Sequence, residues 1–298
     1  SDTDWQLDLG RSILEVVQCS AHWPGAHVRL GSIDRPETKT GLGVQMTCCL
    51  SSGLAVSWLL RLVAIVSMLF EASSALALEY RLGPTPSWVK PVSQDADSGL
   101  ESGQAANGVY YMVVDQQTRL VRSDKATYRR LVSRALTERG VDTVGNVGIE
   151  FDPSFQRLTV HTLTLRRGQQ KQDRLPTARI KVLHRESELE RRVYDGTKTV
   201  DIVLDDVRVG DVVEYAYSLE GSNPVFSGTE FGRMDMQWRV PVHILHRRLT
   251  VPDNRAIVWR AHLQVAEPAV DHHDGWTDYV WHAADVPAVA RQGDTPGW

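Results

Sequence analysis

The chain has 298 residues and a formal net charge of −4. Its length allows one or two domains with a sizeable core, and its ordinary globular composition excludes both a disordered chain and a uniformly apolar membrane bundle. A mildly acidic balance without a concentrated basic patch argues against nucleic acid as a partner; the short pairs Arg166-Arg167 and Arg247-Arg248 read as solvated strand faces.

Residues 1–45 mix Trp, Gly, Pro and charge without a sustained period. The first methionine is Met46, so the expectation is that translation begins there and that 1–45 is not a folded part of the natural protein. Residues 46–77 read as an export signal. Met46–Arg61 is an n-region, Leu62–Phe70 a short apolar h-region, and Ala75-Leu76-Ala77 fits a small-residue cleavage site. The rival reading is an inner-membrane anchor over residues 53–70, but Arg61 near its middle would cost about 3 kcal/mol. A cleaved signal, with an exported periplasmic or extracellular product, is the favoured expectation. A lipoprotein is disfavoured because Cys48 and Cys49 precede the h-region. With Cys19 these are all the cysteines, so nothing later in the chain can form a disulfide, a zinc–thiolate site or a cysteine nucleophile.

Residues 78–107 read as a linker, with Pro84, Pro86 and Pro91 followed by a Ser, Asp and Gly stretch. Residues 108–298 read as a β domain. Tyr110–Asp115 is a short apolar run. Val147, Ile149 and Phe151 alternate with Gly148 and Glu150, and Asp152-Pro153-Ser154 makes a turn. Leu158–Leu165 and Thr199–Leu204 follow, then a half-buried strand around Val213, Tyr215, Tyr217 and Leu219. Trp238–Val251 and Ala256–Val265 continue the series, and Asp274-Gly275 signals a hairpin before Trp276–Trp281. Strands this frequent predict a sandwich or barrel. Two segments carry helical spacing instead: Tyr128–Leu136, and Ser187–Val193, whose Ser187 and Glu190 sit at capping-box spacing.

Several ordered pieces resemble the DUF3857 family of exported bacterial proteins. They are Phe151-Asp152-Pro153-Ser154, Leu165-Arg166-Arg167-Gly168 with Asp173, His184-Arg185-Glu186, Tyr194-Asp195-Gly196, Leu204–Tyr215 and Gly221–Phe226. The resemblance implies an all-β, immunoglobulin-like antiparallel sandwich, with Tyr128–Leu136 as an early strand despite its spacing. It also implies a transglutaminase-like, papain-type partner domain C-terminal to this one, working with a Cys-His-Asp triad. No position here matches that triad, so the resemblance carries over no catalytic residue and no cofactor. Trp281 and the tail through Trp298 resemble the segment just before such a domain.

The residues offer few sites. Asp206, Arg208 and Asp211, with Asn223, form a possible interaction loop; the structural alternative is turn chemistry, with Gly210 supplying a positive φ. Phe226 is expected to be buried beyond the Gly221–Pro224 turn. His272, His273 and Asp274 are weak metal candidates, since adjacent strand residues point to opposite faces. His243 and His246 read as ordinary strand residues. Three functions are therefore open. The first is a non-catalytic positioning or interaction domain facing an extracytoplasmic protein or cell-wall substrate. The second is a carbohydrate-binding module using Trp238, Trp259, Trp276 and Trp281. The third is a metal-dependent enzyme built on residues 271–274.

Overall fold

Alternation of apolar and polar residues becomes alternation of buried and exposed ones most plainly in Asn146–Phe151, where Val147, Ile149 and Phe151 point inward and the residues between them outward. This strand belongs to an all-β fold. A computed structural model describes residues 13–17 as backbone, and residues 80–93, 105, 107–121, 124–184, 196–226, 228–261 and 265–289. The expected export signal and the 53–70 anchor lie outside these residues, as does most of the Ser187–Val193 neighbourhood. Among the described residues no helix is long and apolar enough to cross a membrane.

The strands are β1 (Ile13–Val17), β2 (Tyr80–Leu82), β3 (Val109–Val121), β4 (Asp124–Ala135), β5 (Asn146–Phe151), β6 (Arg157–Arg167), β7 (Gln170–Asp173), β8 (Arg179–His184) and β9 (Lys198–Val203). Beyond them come β10 (Val212–Glu220), β11 (Gly232–Asp235), β12 (Val242–Pro252), β13 (Val258–Ala261), β14 (Ala269–His273) and β15 (Trp276–Val286). A nine-stranded sheet runs β14-β15-β12-β3-β4-β10-β6-β2, with β7 beside β6. Two three-stranded sheets, β5-β9-β8 and β11-β1-β13, complete the fold. One apolar cluster joins them, containing Leu163, Val213 and Leu245 from the large sheet, Val147, Val200 and Ile202 from one small sheet, and Met234 from the other.

The large sheet is mixed, which corrects the expectation of a purely antiparallel sandwich. β12 runs parallel to β3, and β2 runs parallel to β6. Each pair is joined through a long stretch of intervening chain, so neither is constrained by a tight hairpin.

Tyr128–Leu136 resolves in favour of the strand. Its residues form β4, hydrogen-bonded on one side to β3 and on the other to β10 along nearly its whole length. Two ladders of backbone bonds outweigh a local helical preference of a few tenths of a kcal/mol per residue. The helix comes later: α1 (Glu138–Gly145) starts at Thr137, whose side chain accepts from the Gly140 amide at 3.2 Å. The Asp274-Gly275 hairpin joins β14 to β15, with φ of 50° and 79° at the two turn residues, as a type I′ turn requires.

β10 is buried on both faces: Val213 and Tyr217 on one, Ala216 and Ser218 on the other. The half-buried strand expected there gains its second cover from residues 83–93, the segment after β2: Val92 packs on the cluster that contains Val212, and His161 joins the Gly83 carbonyl to Ser218.

Candidate functional site

Side chains of β3, β12 and β15 alternate between an inner apolar face and an outer polar one. On β12, Leu245, Leu249 and Val251 join the core. His246, Arg248 and Thr250 occupy the alternate positions, and the strand register sets them beside Asp115, Gln117 and Asp278 respectively. All six outer residues are buried. Arg248, only 3% exposed, corrects the reading of Arg247-Arg248 as a solvated pair. Arg247, on the inner face, is equally buried beside Trp238.

The outer residues form a connected network. His246 Nδ1 donates to Asp115 Oδ1 at 2.7 Å, and Gln117 Nε2 donates to Asp115 Oδ2 at 3.0 Å. Arg248 Nη2 lies 2.8 Å from Asp278 Oδ2, which Lys90 Nζ also reaches at 2.8 Å. Burial pushes the Asp278 carboxyl up, but hydrogen bonds from Lys90, Thr250 and Arg248 outweigh it and hold the group below the usual carboxylate range. Farther along, Glu214 accepts from Arg130 Nε at 2.7 Å and Lys171 Nζ at 3.1 Å.

The strap over this face is held by its backbone. His161 Nδ1 sits 2.9 Å from the Gly83 carbonyl oxygen. Arg248 Nη1 donates to Trp88 O at 2.8 Å, Gln117 Nε2 to Lys90 O at 2.6 Å, and Arg130 Nη1 to Val92 O at 3.0 Å. In return the Lys90 amide donates to Gln117 Oε1 at 2.9 Å. Pro84, Pro86 and Pro91 remove amide donors from the segment, so it cannot complete an ordinary strand ladder. Side chains of the sheet satisfy its carbonyls instead.

A Ser–His pair lies in this layer. Ser218 Oγ is 2.9 Å from His161 Nε2. Because Nδ1 faces a carbonyl, it carries the ring proton, and Nε2 accepts from the serine. Burial lowers the His161 pKa from its ordinary 6.5, which favours that neutral form. Ser218, however, is 1% exposed, so an external carbonyl group has no access to it here.

The sequence-predicted site residues separate. Asp206, Arg208 and Asp211 share one loop, but Asn223 lies beyond the other end of β10, about 30 Å away by strand rise. Asn223 serves its own turn, accepting from the Val225 amide at 3.0 Å. Phe226 beyond it is 47% exposed and packs edge-on against Phe231, correcting the expectation that it is buried.

The 205–211 loop closes around Arg167, which the basic-pair reading assigned to solvent. Arg167 Nε and Nη2 fork onto the two oxygens of Asp211 at 2.9 and 2.7 Å, and Nη1 reaches Asp206 at 3.2 Å. The Arg208 amide adds a bond to Asp211 at 2.9 Å. Asp206 takes a φ of 58° and Gly210 one of 93°. The Arg167 hydrogen bonds, chiefly, hold the Asp211 carboxyl below its usual range. The loop's acidic groups are thus largely committed to its own arginines.

Near residues 271–274, the groups close enough to share an ion are Asp271, His273 and Asp278. His272 Nδ1 instead lies 2.9 Å from Thr277 Oγ1, and Asp274 forms the turn. Asp278 already faces two cations, which disfavours a third charge there. Of the tryptophans, Trp238 and Trp281 are buried, Trp259 packs edge-on against Trp281, and Arg119 covers the Trp276 ring at 4.1 Å. They offer no exposed coplanar platform, which removes the reason for a carbohydrate module.

The DUF3857 family, described as a domain of unknown function with solved structure, matches residues 122–290. The chain belongs to this family. No curated protein matches the DUF3857 chain. Among solved structures, a "putative protease" from Parabacteroides distasonis ATCC 8503 shares its fold at a TM-score of 0.54 and 18% identity. That match covers 64% of this chain and 38% of the other. An M1 zinc metallopeptidase from Deinococcus radiodurans reaches a TM-score of 0.32 at 12% identity, over 60% and 40% of the two chains. The chain thus spans well under half the length of these proteins.

Proposed function

We propose that this DUF3857 domain is a non-catalytic, extracytoplasmic interaction module. It positions a transglutaminase-like domain that follows it and helps to present an extended protein or cell-wall segment. The observation that carries the reading is the outer sheet face. Its buried polar side chains are spent on gripping an extended backbone, and its Ser–His pair is sealed beneath that backbone. The resemblance in sequence to domains that precede a transglutaminase-like partner supports it. So does the greater length of the Parabacteroides protein, described as a "putative protease", beyond the shared part.

The test is an amide-turnover assay on the purified chain, following peptide cleavage and amine release by mass spectrometry. The expected result is no turnover above buffer. Robust turnover that disappears in His161→Ala would make the domain an enzyme. Fractionation of the host checks the location: recovery in the cytosol would remove the extracytoplasmic part of the proposal.

A further inference from the structure

The inner face of the large sheet, opposite the strap, holds a cavity of about 230 Å³. Its floor is a block of cross-strand neighbours: Gln116 beside Arg129, Thr118 beside Thr127, and Leu120 beside Lys125. Leu219 of β10 and Leu249 of β12 extend this floor, and Phe231 to Met234 form the opposing wall.

Charge in and around this cavity is unbalanced. Lys125 Nζ pairs with Glu230 at 3.3 Å, and Arg233 Nε with Asp235 at 3.1 Å. Arg129 makes no ion pair among the described residues, the Asp235 carboxylate acting on it only at longer range. Its hydrogen bond among the described residues is a long one, from Nη1 to Tyr217 Oη at 3.4 Å, and it lines the cavity while the residue keeps part of its surface exposed. Arg247 sits in the same cross-strand row on β12, on the far side of Gln116 from Arg129. It donates to the carbonyls of Asp235, Val114 and His246 and to no carboxylate. Burial, and then the neighbouring charge of Arg129, lowers its pKa to about 9, still charged at neutral pH. Lys125 and Arg233 are thus engaged by carboxylates, whereas Arg129 and Arg247 have Asp235, and Arg247 also Asp115, only as longer-range counter-charges.

We infer that this cavity binds a small organic carboxylate, with the Arg129 guanidinium fork taking the acid group and Leu219, Phe231 and Leu249 taking a short apolar body. A planar fork with free donors matches a carboxylate in two parallel hydrogen bonds. Thr118, Thr127 and Gln116 supply further polar contacts around it. The volume lies below that of drug-sized pockets, which restricts the ligand to a short chain or a single ring. The inference is independent of the positioning role proposed above, since it concerns the opposite face of the sheet.

The probes are hexanoate and benzoate against their neutral amides, hexanamide and benzamide, titrated into the full chain by calorimetry at low salt. At least one acid is expected to bind at least about ten-fold tighter than its amide. Arg129→Met is expected to erase that preference, and Arg129→Lys to retain part of it, because an ammonium keeps the charge and loses the fork. Equal binding of acid and amide, absence of binding by both acids at about 10 mM, or unchanged acid binding in Arg129→Met would each overturn the assignment. Should Arg129→Met fail to fold, the acid-to-amide preference and the Arg129→Lys variant decide it.

Discussion

Asp278→Ala is expected to lower the unfolding free energy by about 3–5 kcal/mol, the largest single-residue effect in the outer network. Both members of the Arg248–Asp278 pair are almost wholly buried. Removing the carboxylate leaves Arg248, among the described residues, the Trp88 carbonyl and a longer contact with Gln117 Oε1 at 3.3 Å. The penalty is mainly that of a buried guanidinium without its counter-charge. Lys90→Ala provides the contrast. Its side chain is 53% exposed, so deleting it costs at most about 1 kcal/mol. Urea denaturation of the two variants measures both. The pH dependence has a definite sign. The folded Asp278 carboxyl titrates below its ordinary 3.8, so its stabilisation is present above that value and is lost as pH falls through the folded pKa. In Asp278→Ala that acid-side component is missing.

Asp211→Ala is expected to cost about 2–3 kcal/mol, because one buried carboxylate organises the loop through charge-assisted bonds to Arg167 and to the Arg208 amide. The partial exposure of Arg167 keeps this below the cost at Asp278. The loop is also tied to the end of β4, since the Gly210 amide donates to Ala135 O at 2.8 Å and the Ala135 amide to Asp211 O at 3.0 Å. Loss of the carboxylate should therefore raise amide exchange at Ala135 as well as in the loop. Arg167→Lys, which keeps the charge but cannot fork, is expected to cost about 1 kcal/mol. Equal stability of Asp211→Ala and the parent chain would show that the fork contributes nothing.

What was legible in the sequence was the period of the strands. Val147, Ile149 and Phe151 declared their own inward face, and Asp274-Gly275 declared its turn, because each rests on one strand or two residues. What was not legible was the second cover. Arg248 looks like a surface charge when polarity is equated with solvent, because no local pattern marks that Trp88 to Val92 will lie over β12 and β3; Arg247 is buried on the opposite face beside Trp238, and Arg167 keeps 34% of its side chain exposed. The prolines that marked residues 78–107 as a linker are the reason those carbonyls need partners from the sheet. The DUF3857 resemblance corrected Tyr128–Leu136 where spacing misled, since it carries the long-range pairing that spacing lacks. Asn223 was grouped with Asp206, Arg208 and Asp211 through closeness in sequence, and a single strand carries it to the other end of the sheet. The metal candidates regroup similarly: adjacency suggested His272, His273 and Asp274, whereas the carboxylates spatially near His273 are Asp271 and Asp278.

Residue-resolved amide hydrogen exchange over residues 80–93 in the full chain measures whether the outer sheet face grips an extended backbone. The Lys90 amide, bonded to Gln117 Oε1, is expected to be strongly protected, and Gln117→Leu to abolish this protection while the Val147 and Ile149 amides of β5 stay protected. Exchange of Lys90 at the rate of a free peptide in the parent chain would contradict such a grip.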